Sequence, residues 1–128
     1  MDADPMSVVQ TWDRSLRAAD WEAARSVLAD DAFYRTQTEL GMLSCTDAEQ
    51  IIALMRSWKG KLPDVEVLDW EPVGSSVLAR LRQPAWGEDA DWFQVLTVED
   101  GLITRLDDHP DRETALAAIS GGAEEDPT

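Results

Sequence analysis

The apolar residues of this chain recur at helical spacing over its first half and at alternating spacing over much of its second half. After a polar lead-in, a first apolar stripe is formed by Val9, Trp12, Leu16 and Ala19. Because these positions share one side of a 3.6-residue repeat, they predict an amphipathic helix that packs on a core. Ser7 stands just before the stripe and is the expected N-cap.

A second, shorter helix is predicted from Asp20, because aspartate is a good N-cap and an apolar stripe follows it. That stripe consists of Trp21, Ala24 and Leu28. Asp30 and Asp31 are expected to end the helix. Residues 32–36 then predict a short strand, and a loop is expected to follow it through Gly41.

The third predicted helix begins with the spacing of a capping box, in which Thr46 and Glu49 each satisfy a free backbone amide. Gly60 and Pro63 are expected to end it. Its apolar stripe consists of Ile51, Met55, Trp58 and Leu62.

From residue 65 the apolar positions alternate, which is typical of strands with one buried face. Two strands are predicted at residues 65–70 and 76–83, joined by a turn at residues 72–74. Pro84 closes the second strand because proline has no N–H to give to a ladder.

A tight hairpin is predicted around Glu99-Asp100-Gly101, between strands at residues 92–98 and 102–106. A two-residue loop would put Val98 and Ile103 on one face and would mix charged with apolar residues on both faces. A three-residue loop, with Gly101 in the left-handed conformation, separates them and is the predicted register. One face then carries Trp92, Gln94, Leu96, Val98, Leu102, Thr104, Leu106 and Asp108, and the other carries Asp91, Phe93, Val95, Thr97, Ile103, Arg105, Asp107 and His109.

The order of elements predicts an α+β fold, in which an antiparallel sheet has one face covered by the earlier helices. Asp111 is the expected cap of a final short helix, which Gly121 and Gly122 end. With 128 residues, the chain is expected to form a single domain over residues 1–122. Residues 123–128 are expected to be a disordered acidic tail.

The charge of the chain restricts its partners, because 26 acidic residues against 11 basic ones give a net charge of −15. Such a chain repels nucleic acids and anionic membrane surfaces, so neither is an expected partner. The sequence has no long apolar run and no basic leader, so a cytoplasmic location is expected. Cys45 is the only cysteine, which excludes an intrachain disulfide and a metal site built on several cysteines.

Two segments resemble the SnoaL-like proteins of the nuclear transport factor 2-like (NTF2-like) superfamily: VVQTWDRSLRAADWEAARSVLADDAFYR near the start and VEDGLITRLDDHPD near the end. The elements between them fall in the order of that superfamily. The resemblance implies a cone, in which three helices cover the concave face of a curved antiparallel sheet and enclose a pocket. It also implies a homodimer through the outer sheet face.

The resemblance implies catalytic positions that this sequence matches only in part. Asp108 stands where the resembling epoxide hydrolases and some cyclases carry an acid/base aspartate, and the alternative is a solvated strand-end carboxylate. Arg80 matches their arginine, but Arg82 replaces the second carboxylate, which argues against epoxide hydrolysis. The isomerases of this superfamily have a tyrosine that donates to the substrate oxygen and an acidic residue that acts as the base. This sequence has Trp12 and Thr36 at roughly those positions. No metal and no organic cofactor is expected.

Aromatic residues are the candidates for a pocket lining, because flat side chains suit a flat or polycyclic ligand. The expected substrate-binding residues are Trp12, Tyr34, Trp58, Trp92 and Gln94, although helix stripes often place tryptophan in an ordinary core. The leading hypothesis is a small-molecule-binding protein that acts by acid/base chemistry on an apolar, aromatic or polyketide-like ligand. Asp108 would transfer the proton, and Arg80 or Gln94 would polarise a carbonyl. The alternative is a non-catalytic binding or dimerisation module.

Overall fold

A computed structural model describes residues 4–38, 41–86 and 91–121 of the chain. It confirms the α+β class, with a curved six-stranded sheet and the helices predicted to cover it. The helices are α1 (Pro5–Arg17), α2 (Trp21–Ser26), α3 (Ala48–Lys59) and α4 (Arg112–Gly121). The strands are β1 (Leu28–Thr38), β2 (Gly41–Cys45), β3 (Glu66–Val73), β4 (Ser76–Arg82), β5 (Asp91–Glu99) and β6 (Leu102–His109), with a 3₁₀ turn at Pro84–Trp86.

The order of the strands across the sheet is β2-β1-β6-β5-β4-β3. Neighbouring strands are antiparallel except β1 and β6, which run parallel. This one parallel contact joins the first strand of the chain to the last. It places Tyr34 beside Leu106, so the middle of β1 lies next to the end of β6, where Asp108 stands.

Two predicted helix starts were wrong by one to three residues. The N-cap of α1 is Asp4, whose carboxylate accepts from the amide of Ser7 at 3.0 Å. Pro5 follows it at the first helical position, where its missing N–H costs nothing. In α3 the cap is Asp47, not Thr46.

The predictions were also wrong where the second helix meets the first strand. Helix α2 is capped by Asp20 as expected, but it ends at Ser26, and β1 already begins at Leu28. Leu28 lies beside Ile103 and is buried in the core. The loop expected after residue 36 was also placed wrongly, because β1 continues to Thr38, and β2, which begins at Gly41, was not predicted. The acidic tail lies outside the described residues.

The β5–β6 hairpin combines features of both registers considered for it. Its turn is a two-residue loop, with Asp100 at φ 55° and Gly101 at φ 78°, so Val98 pairs with Ile103. The predicted three-residue loop is therefore wrong. One step further Thr97 pairs with Arg105, which leaves Thr104 as an extra residue, a β-bulge. The bulge restores the separation of apolar from charged residues that a regular two-residue hairpin would have lost.

Different helices pack against the two faces of the sheet. On the inner face, Leu96, Leu106, Val98 and Ile103 pack with helices α1, α2 and α3 in the main core. Ile103 was expected on the outer face, but the two-residue loop pairs it with Val98 and so places it inside. On the outer face a smaller cluster of Leu78, Val95 and Ala115 holds α4. Among the described residues, no helix is long and apolar enough to cross a membrane.

Candidate functional site

The helices and the inner sheet face enclose a cavity of about 1350 Å³. This exceeds the usual size of a small-molecule site, which is roughly 300–1000 Å³. The cone is therefore not filled by its own side chains. Apolar side chains dominate the interior, and its lining includes Tyr34, Thr36, Trp58, Asp64, Trp86, Trp92 and Asp108.

Asp108 is the carboxylate that the inner sheet face presents to this cavity. The hydroxyl of Tyr34 donates to its Oδ2 at 2.9 Å, and Nε2 of Gln94 donates to its Oδ1 at 2.8 Å. Gln94 lies directly opposite Asp108 in the β5–β6 ladder, while Tyr34 comes from the parallel neighbour β1. Three adjacent strands therefore fix the position of one carboxylate.

The surroundings of Asp108 act on its pKa in opposite directions. Burial raises the pKa, because the charged form loses its contact with water. Hydrogen bonds from Thr36, Gln94 and Tyr34 lower it, and so does the indole of Trp92. Burial prevails, so the pKa of Asp108 lies above its ordinary value of 3.8. The indole lies close to the carboxylate, but Trp92 Nε1 falls short of hydrogen-bond geometry and has no partner among the described residues.

Tyr34 is suited to act as a permanent donor to this carboxylate. Its side chain is buried, and burial followed by the nearby charge of Asp108 raises the pKa of the phenol well above 10. The hydroxyl therefore keeps its proton at any ordinary pH. Its ring meets the ring of Trp58 edge-on, with the centroids 6.4 Å apart, so packing holds the phenol as well.

No family model matches the sequence, and no curated protein matches it. Solved structures do resemble the fold. An NTF2-like protein of unknown function from Cytophaga hutchinsonii has a TM-score of 0.65 at 16% identity, covering 91% of this chain and 97% of its own. A candidate polyketide cyclase from Sinorhizobium meliloti has a TM-score of 0.69 at 18% identity, covering 84% and 100%. An LEH-like epoxide hydrolase from M. tuberculosis has a TM-score of 0.62 at 18% identity, covering 92% and 96%.

The chain has an NTF2-like fold. The resemblance found in the sequence is confirmed at this level. At such low identities the similarity concerns the architecture alone, and one architecture can carry many functions. The function of this chain therefore depends on the chemistry of its own cavity.

Arg80 does not lie in the NTF2-like cavity, so the prediction that it polarises a ligand was wrong. It pairs with Phe93 across the β4–β5 ladder and points to the outer face, where its guanidinium binds Asp91. Successive strand residues alternate between faces, so the inner positions beside it are Ala79 and Leu81. Gln94 lies on the inner sheet face as expected, but its amide donates to Asp108.

The aromatic candidates separate into core and cavity residues. Trp12 is buried among core side chains and does not line the cavity, so its expected contact with a ligand does not agree with its position. Tyr34, Trp58 and Trp92 do line the cavity. Trp86 also lines the cavity, although the sequence did not predict it. It follows a strand-closing proline in a segment without periodicity, so no sequence signal marked it.

Proposed function

We propose that this NTF2-like protein binds a small, mostly apolar molecule in its cavity and moves a proton to or from it through Asp108. The observation that supports this is the position of Asp108. A carboxylate on an apolar cavity wall, with its pKa raised by burial, suits general acid–base catalysis better than a solvated one. No step in this scheme requires a metal or an organic cofactor.

The carboxylate of Asp108 can still react although both of its oxygens accept hydrogen bonds from the protein. Each carboxylate oxygen has about two lone-pair positions, and Tyr34 and Gln94 each occupy one position on a different oxygen. With Thr36 as a third donor, about one lone-pair position of the carboxylate is left to accept a proton. Tyr34 and Gln94 act as positioning residues, because their hydrogen bonds fix the plane in which Asp108 presents its lone pairs.

The cavity favours a flat, apolar substrate with a carbonyl group. Trp58, Trp92 and Tyr34 provide flat faces for an aromatic or polyketide-like skeleton. Proton abstraction next to a carbonyl is the simplest reaction that a lone carboxylate base can begin, and it leads to isomerisation or to ring closure. Epoxide hydrolysis is disfavoured, because Ala79 and Leu81 occupy the inner positions of β4.

Deuterium exchange tests the proposal before any natural substrate is known. Neutral aromatic ketones would be incubated with the protein in D₂O, and loss of the proton next to the carbonyl would be followed by NMR. Asp108→Asn should slow the exchange at least about 100-fold, the lower limit for general base catalysis. Asp64→Asn is the matched control, since Asp64 lines the cavity but pairs with Lys59 at 2.6 Å. Equal rates in the wild type and Asp108→Asn would overturn the catalytic role.

A second candidate is a binding module without catalysis. The observation that favours it is that both oxygens of Asp108 already accept protein hydrogen bonds, which is also typical of a structural carboxylate. In that case aromatic ligands would bind, but no ketone would exchange its proton faster than in buffer.

We further propose a homodimer through the outer sheet face. Phe33 and the guanidinium of Arg105, which lies 4.8 Å from the centroid of the Phe33 ring, lie on this face, and Phe93 borders the cluster that packs against α4. Light scattering after gel filtration should give twice the monomer mass of 14.2 kDa. Phe93→Glu should shift the protein to monomer, and a wild type that is monomeric at all concentrations would exclude the dimer.

A further inference from the structure

Trp86 is an exposed aromatic residue at the mouth of the cavity. Its side chain is 60% exposed, although it lines the cavity. Among the described residues, it is the only aromatic in the group of exposed large apolar side chains, whose other members are Met42 and Leu68. Leaving so large a ring in water forgoes burial free energy, so its position calls for an explanation.

The turn that carries Trp86 is held in place by buried polar contacts. Gln83 is only 2% exposed, and its Nε2 donates to the carbonyl of Pro63 at 3.0 Å. Its Oε1 accepts from the amide of Ala85 at 3.1 Å, and the amide of Trp86 donates to the carbonyl of Gln83 at 2.9 Å. Both ends of the buried Gln83 amide therefore make hydrogen bonds that hold the turn carrying Trp86.

Trp92 connects this exposed ring with the interior. The two indole rings are in contact, with centroids 5.6 Å apart and planes inclined by 40°. Trp92 stands two residues before Gln94 on the same face of β5, and Gln94 pairs with Asp108 on the neighbouring strand β6, so the indole lies diagonally across the ladder from the carboxylate. An uninterrupted aromatic surface therefore runs from Asp108 to the outside of the protein.

We infer that Trp92 and Trp86 form a path for an elongated ligand, which places a polar head at Asp108 and extends an apolar tail out of the mouth. This inference rests on the proposed function and names its ligand class, a neutral molecule with one polar end and a long hydrocarbon or polycyclic tail. The large cavity volume agrees with it, because a single ring would leave much of the space unfilled.

A series of 4-alkylphenols, from methyl to octyl, tests the path by calorimetry or by ligand displacement. In the wild type, each added methylene should tighten binding about fourfold, the value for a CH₂ group that leaves water. In Trp86→Ala the short phenols should bind as before, while the gain per methylene of the longer ones should fall below about twofold. Leu68→Ala, an exposed apolar residue away from the cavity, is the matched control and should retain the wild-type slope.

The outcomes separate this inference from the proposed function. If the short phenols bind to the wild type but the slope is unchanged in Trp86→Ala, the aromatic path is wrong and the cavity site stands. An equal loss at every chain length would also overturn the path, since it would indicate a general effect of the substitution. If no phenol binds to the wild type, the proposed binding function fails and the path fails with it.

Discussion

Removing the hydroxyl of Tyr34 should destabilise the protein through a single hydrogen bond. Tyr34→Phe keeps the buried ring and its contact with Trp58, but it deletes the donor to Oδ2 of Asp108. A hydrogen bond to a charged group contributes roughly 1.5–3 kcal/mol to stability. For 128 residues, the entropy of unfolding is about 0.27 kcal/mol per degree, so a loss of about 2 kcal/mol lowers the Tm by about 7 °C.

The loss of stability in Tyr34→Phe should depend on pH in a defined direction. Because burial raises the pKa of Asp108, its ionisation opposes folding, and this cost grows as the pH rises from 3.8 through the raised value. Tyr34 stabilises the ionised form, so its removal raises the pKa further. The destabilisation is therefore largest above the further raised pKa of the variant, shrinks as the pH falls from that value to the raised pKa of the wild type, and is smallest below it, where Asp108 is protonated in both folded proteins.

Urea denaturation at neutral and acid pH measures this difference, and calorimetry gives the Tm. In an Asp108→Asn background the same Tyr34→Phe change should cost only about 1 kcal/mol, the value for a neutral hydrogen bond. A destabilisation that is equal at both pH values, or equal in both backgrounds, would mean that the hydroxyl contributes by packing alone. The proposed support of Asp108 by Tyr34 would then be refuted.

Three further predictions concern the fold and the outer face. Asp47→Ala should cost about 1 kcal/mol in urea denaturation, because Asp47 caps α3, whereas Thr46→Ala should change stability by much less. Gly101→Ala should cost about 1–2 kcal/mol in the same assay, since its φ of 78° is unfavourable for a residue with a Cβ. Arg80→Ala should leave ketone exchange by Asp108 unchanged and cost less than about 1 kcal/mol, because its ion pair is half-exposed on the outer face.

The sequence predicted the elements whose pattern is local and long. The helical stripes of α1 and α3 and the alternation along β5 each extend over several repeats, so their type and their buried side could be predicted. Leu28 shows the limit. Its position fits both the stripe of α2 and the start of a strand, and only its contact with Ile103, far along the chain, makes it a strand residue.

The candidate site shows the same division between local and distant information. The alternation along the hairpin placed Gln94 and Asp108 on the inner face, and that prediction is confirmed. The bond between Tyr34 and Asp108 joins residues 74 positions apart and depends on the parallel contact between β1 and β6. No local pattern contains that contact. Arg80 was misplaced because its match to a family position did not take account of which face of β4 it occupies.

The bulge at Thr104 also bears on how such a site can change in evolution. If the ladder continued regularly from the pair Val98–Ile103, Gln94 would face Asp107 instead of Asp108. In the observed register Asp107 lies on the outer side, bound by Arg105 and close to Arg35. The register of the ladder, and not the residue type, thus determines which of two adjacent, chemically identical carboxylates lies opposite Gln94 on the cavity side. A lineage could silence or relocate the site by the gain or loss of one irregular residue, with every aspartate left in place.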